Sequence, residues 1–149
     1  MISSTLTTPG HLNSDRFAIR NAVTAIRNSY LRIDGRLLLI GGGAERRSSV
    51  RVGLRVPVRI NMAHVDHGEV IPHTGESSVF EATCHDISLG GFGLTHASRL
   101  PFEFAVVRFD IPADDPVCLA VELVWSNRTD NGSWISGARI MGLTNQLEN

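Results

Sequence analysis

The residues with the clearest chemical potential in this chain are its arginines, and they are unevenly spread. All 14 basic residues are arginine and none is lysine. Residues 1–59 hold ten of them against Asp15, Asp34 and Glu45, a balance of +7 that leaves −8 for the rest. A coding bias toward arginine accounts for the missing lysines but not for the clustering. Guanidinium presents a planar fork of donors that suits phosphate and guanine edges. The first part of the chain therefore points to an anionic ligand or partner. The overall charge of −1 tells against general nucleic-acid binding, so no DNA or RNA partner is expected.

Within the cluster, Arg47-Ser48-Ser49-Val50-Arg51 carries two arginines four apart, with Arg46 just before them. Farther along comes Asp86-Ile87-Ser88-Leu89-Gly90-Gly91. Its carboxylate and hydroxyl can bond a polar ligand. Gly91 permits a backbone conformation or a close approach that a Cβ would block. Taken singly, each stretch has a plainer reading. The arginines could be a solvated strand end, and Asp86 with Ser88 could bond the local backbone of a turn.

Other constellations carry less. Cys84 and His85 are strand neighbours, so their side chains face opposite ways and cannot pair as nucleophile and base. His64, Asp66, His67 and His73 form a loose metal-like cluster in a polar stretch, without helical i, i+4 spacing. Trp125 and Trp134 read as core or rim of facing strands rather than as a platform for a base. Gly41-Gly42-Gly43 has no Gly-Lys-Ser/Thr after it and is no phosphate loop. No catalytic acid/base pair stands out, and the chain is not expected to be an enzyme. Neither cofactor nor metal is implied.

The elements that must position these residues follow from periodicity. Residues 1–13, rich in Ser, Thr, Pro and Gly, predict disorder. Phe17, Ile19, Ala22, Val23, Ile26 and Tyr30 recur at helical spacing, with Arg16, Arg20 and Arg27 opposite, predicting an amphipathic helix over 15–31 that Ser14-Asp15 can cap. Such a stripe docks by default, although it could also form a homodimer or touch a partner. A turn at Asp34-Gly35, a short strand at Arg36–Ile40 and the triple glycine as a joint follow. From Arg51 the period becomes two: Val52, Leu54, Val56, Val58, Ile60 and Met62 alternate with polar residues or Pro57, which places an edge or bulge there. His64–Ser78 reads as a loop or loosely paired hairpin. Further strands are predicted at Val79–Asp86, Gly91–Thr95, Val106–Ile111, Leu119–Trp125 and Trp134–Ile140, with Leu119, Val121, Leu123 and Trp125 alternating and a hairpin turn at Asp130-Asn131-Gly132. Six strands without intervening helices make a mainly β fold, a small antiparallel barrel. The chain thus divides into an N-terminal extension, 1–44, and a barrel domain, 45–149.

The two arginine- and aspartate-centred stretches resemble the signatures of the PilZ family, R-x-x-x-R and [DN]-x-S-x-x-G. Arg47 and Arg51 fill the first; Asp86, Ser88 and Gly91 fill the second. The resemblance covers about residues 45–143, including Val124-Trp125, Gly137 and Ile140. It implies a six-stranded antiparallel β-barrel that binds cyclic di-GMP on its outer surface. Physical chemistry agrees: an arginine fork can satisfy guanine O6 and N7 together, Asp86 can accept from guanine N1 and N2, and Ser88 can reach a phosphate or base edge. Arg46 is similar to the residue that accompanies a stacked ligand pair in this family, which implies two molecules per chain. The resemblance further implies a bacterial receptor that signals to an unidentified downstream protein in motility or biofilm control. Ligand is expected to pull Arg46–Arg51 onto the barrel and so reposition the N-terminal extension, with the triple glycine as hinge. The rival reading is an interaction adaptor that has lost the ligand; the full set of signature residues argues against it.

Two cysteines without zinc spacing suit a reducing compartment. The N-terminus does not read as a signal peptide, and no apolar run is long enough to span a membrane. A cytoplasmic location is expected.

Overall fold

The computed structural model describes residues 10–34, 38–39, 52–111 and 115–144. Its elements are β1 (Gly10–Asn13), α1 (Arg16–Asp34), β2 (Leu38–Leu39), β3 (Val52–Asp66), β4 (Glu69–Pro72), β5 (Val79–Ile87), β6 (Gly91–His96), β7 (Phe104–Phe109), β8 (Val117–Arg128) and β9 (Trp134–Thr144). The long alternating run from Val52 forms β3, and it closes the sheet. Arg59–Ala63 pair with β7 while Val52–Asn61 pair with β5, so the order β3-β5-β6-β9-β8-β7 returns to β3. The result is the expected six-stranded antiparallel barrel. Closure removes the exposed edges that an open sheet of this size would present.

The barrel interior is the inward half of each alternation: Val56 and Ile60, Cys84, Leu94, Val107 and Phe109, Leu119 and Val121 are essentially inaccessible. Phe92 and Phe109 meet edge to face at 5.4 Å inside it. A smaller apolar cluster lies outside the ring, where Ala63, Val70, Val106, Cys118 and Ala120 pack with Leu12. Strand β7 is thus buried on both faces. Both cysteines are free and buried. Desolvation is the main cause that raises the Cys84 thiol far above its ordinary pKa, and the nearby Asp86 carboxylate adds to it. Desolvation also pushes Cys118 up to about 11.

Pro57 behaves as the sequence requires. Among the described residues, β3 between Gly53 and Arg59 pairs only with β5, and a register shift falls between Gly53 and Val56. The 64–78 stretch takes the hairpin option: β3 runs on to Asp66, turns at His67-Gly68, and returns as β4.

Three expectations need correction. Gly10–Asn13 are ordered as β1, which pairs with β4 and β9 and so occupies backbone donors and acceptors that composition alone leaves idle. Phe17 is 72% exposed and stands apart from the buried stripe of Ala22, Val23 and Ile26. Arg27 is half-buried rather than on a fully wet face, and desolvation lowers its pKa. The helix itself is capped as expected: the Asp15 carboxylate accepts from the Ala18 N–H at 3.0 Å. The Tyr30 side chain, Gly35, Arg36 and the triple glycine lie outside what the structure describes, while Leu38–Leu39 form the short strand there. No helix among the described residues is long and apolar enough to cross a membrane.

Because Ala22, Val23 and Ile26 share one apolar cluster with the barrel interior, α1 is part of the fold. Ile26→Val is expected to cost about 0.5–1.5 kcal/mol, whereas Phe17→Ala should stay within about 0.5 kcal/mol of wild type. Urea denaturation of the two variants checks this; equal midpoints would mean that the helix is not docked.

Candidate ligand-binding site

The β5–β6 connection starts from a break in alternation. Cys84 pairs with Leu94 and Asp86 with Gly93, so His85 is an extra residue, a β-bulge. Regular alternation would turn Asp86 inward beside Cys84. The bulge shifts the phase, so Asp86 faces the outer surface and Ile87 enters the core with no exposure. Asp86 is 7% exposed, and its Oδ1 accepts from the Gly93 N–H at 3.0 Å. His85 Nδ1 lies 3.4 Å from Asp86 Oδ2. The His85 ring covers Gly93, and its Nε2 is buried without a hydrogen-bond partner among the described residues. As expected, Cys84 and His85 face opposite ways, one buried and one half-exposed.

Ser88 shapes the turn that follows. Its N–H and its Oγ both donate to the Gly91 carbonyl, at 2.8 and 3.2 Å. The turn is held to β9 by the Ile140 N–H, which donates to the Gly90 carbonyl at 2.9 Å. Gly91 answers to close approach, since a Cβ there would overlap the Ala138 carbonyl oxygen of β9. Its φ is not positive. The plainer, local role of Ser88 is therefore present, and it also fixes the loop that carries Gly90.

A second bulge faces the first across the sheet. Leu123 pairs with Ala138 and Trp125 with Gly137, leaving Val124 as the extra residue. The expected alternation Leu119-Val121-Leu123-Trp125 therefore ends at Leu123, and Trp125 turns outward, 46% exposed. A Cβ on Gly137 would overlap the Nε1 edge of its indole. Between the two bulges lies a floor of Gly91, Gly93 and Gly137. Arg139 stands beside it, ion-paired with Glu122.

These residues enclose one depression of about 300 Å³, lined by Asp86, Ser88, Gly91, Trp125 and Arg139 among others. That is the lower end of the range for ligand pockets. Asp86, Ser88 and Gly91 are thus brought together. Arg46, Arg47 and Arg51 lie outside the described residues, but the register beside them is clear: Val52, next in the chain after Arg51, pairs with Ile87, and Gly53 pairs with Asp86. Sequence reasoning missed His85 and Arg139 and set Trp125 aside. No pattern within one strand could have found the last, because Trp125 lies over Gly137 only through the register between β8 and β9.

A larger groove of about 700 Å³ runs along β3, β5 and β6. It contains none of the signature residues, and its lining mixes Arg59 with Glu81 and Asp110, which does not favour an anion. His64 and His73 approach to 3.4 Å across the β3–β4 hairpin. Among the described residues no group of three or more His, Cys, Asp or Glu is placed to hold a metal.

A model of the PilZ domain matches residues 45–149. No curated protein matches the chain.

Proposed function

The chain belongs to the PilZ domain family, whose members are in general receptors for cyclic di-GMP, and we propose that it binds this dinucleotide on the glycine-floored face between β5 and β8. The observation that carries the reading is the pairing of Val52 with Ile87. Consecutive Cα atoms are about 3.8 Å apart, so Arg51 is tied within one peptide of the strand position beside the Asp86–Gly91 turn. Arg46 and Arg47 can reach the same face along a few residues of chain. The three guanidinium groups would take guanine O6 and N7 and the two phosphates. Asp86 would accept from a guanine Watson–Crick edge, and a base would stack against the exposed Trp125 indole.

Ligand would draw Arg46–Arg51 over this face. Because β1 and α1 are held to the barrel, the signal would pass through the segment between α1 and β3, to a downstream protein in motility or biofilm control. A cytoplasmic location, a non-enzymatic role and two ligand molecules per chain, the last on account of Arg46, are part of the same proposal.

Calorimetric titration of the protein with cyclic di-GMP tests it. Saturable binding at two ligands per chain is expected, and saturation at one would remove the pair. No binding to folded protein at millimolar ligand would favour the adaptor. Trp125→Ala should weaken affinity by roughly tenfold, since stacking on a base contributes about 1–3 kcal/mol. Unchanged affinity would take the indole out of the site.

A further inference from the structure

A second cleft adjoins the site. It has a volume of about 560 Å³ and lies between the first turn of α1, the β5–β6 turn and β9. It shares Gly90 and Arg139 with the first depression, so the two are adjacent. Ile19, Leu89 and Met141 give it an aliphatic side, and Arg16, Arg20 and Arg139 line its polar side.

We propose that this cleft is an anion subsite of the same receptor, in which Arg16 and Arg20 hold a phosphate of the dinucleotide bound next door. The assignment rests on the cyclic di-GMP reading above. Arg16 and Arg20 are four apart on one helix face and both are exposed. Like charges at that spacing repel, and a bound phosphate converts the repulsion into two charge-assisted contacts. Neither has an acidic partner among the described residues. The nearby carboxylates are engaged elsewhere: Asp15 accepts from the Ala18 N–H, and Glu122 pairs with Arg139.

The helix is also held in place before any ligand arrives. Leu12 and Asn13 pair with Thr144 and Leu143 of β9. Ser14 Oγ donates to the Met141 carbonyl at 3.1 Å, and Val23 and Ile26 are sealed in the core. The two guanidinium groups therefore start from a backbone fixed relative to Gly90, which lowers the ordering cost of binding. The N-terminal extension thereby contributes directly to the ligand site.

The test is calorimetry of the full chain and its Arg16→Ala/Arg20→Ala variant with cyclic di-GMP at low and high salt. The variant should bind about tenfold or more weakly, with a shallower salt dependence and an unchanged thermal midpoint. Wild-type affinity and salt dependence in the variant would overturn the subsite and leave the receptor reading intact. Should the wild-type protein bind no cyclic di-GMP, the receptor reading falls, and inorganic pyrophosphate becomes the probe, followed through the backbone amide resonances of residues 16–20 and 89–90. Saturable shifts lost in the variant would keep a phosphate site here and overturn its assignment to the dinucleotide; no shifts would overturn both.

Discussion

Alanine at Arg47 and Arg51 together should weaken cyclic di-GMP binding by at least about 100-fold while leaving the barrel folded. The size follows from the contacts removed. A bidentate guanidinium contact to a guanine contributes about 1–3 kcal/mol, and 100-fold corresponds to about 2.7 kcal/mol. The fold should tolerate the change because the barrel is closed by residues from Val52 onward. Lysine at both positions keeps the charge and loses the planar fork. The lysine variant should therefore retain part of the salt-dependent attraction and little of the affinity. Calorimetry of the three proteins, with circular dichroism as the check on folding, measures this. Equal affinity in wild type and the alanine variant would remove the arginines from the site and return the barrel to the adaptor reading.

Gly91→Ala should damage stability and binding together, and Gly90→Ala should leave stability unchanged. A Cβ at position 91 would overlap a backbone carbonyl of β9, and a strand paired on both sides cannot step aside. Relief requires β6 to part from β9, at a cost of about 3 kcal/mol, the upper end for overpacking. That separation would also spoil the floor beneath the ligand and the turn that Ser88 closes onto the Gly91 carbonyl. At position 90, one residue earlier, a Cβ meets nothing within 4 Å. Urea denaturation beside calorimetry distinguishes the two variants. A Gly91→Ala protein as stable as wild type would show that the β6–β9 contact can relax, and the signature glycine would then need a ligand-based explanation.

Much of this molecule was legible in its residues. Period-two alternation in Val52–Met62 and in the later strands announced the barrel, because burial of one face is a local, repeating demand on side-chain type. The helix announced itself through Ala22, Val23 and Ile26 and its cap through Asp15. The signature residues Asp86, Ser88 and Gly91 could be named as candidates from their resemblance to the family's motif.

What sequence could not supply was phase and closure. Asp86 and Trp125 face the site because of single extra residues at His85 and Val124. A bulge is defined by its register against a partner strand, and no pattern within one strand reveals it. Residues 10–13 looked like a tail because a strand with little core of its own draws its stability from the edges of β4 and β9. Arg16 and Arg20 looked like an ordinary wet helix face, since only the docking of α1 beside the β5–β6 turn sets them next to Gly90 and Arg139. Sequence by itself determined which residues alternate, cap and carry charge; tertiary structure decided which of them share a face, because that depends on register and packing between segments far apart in the chain.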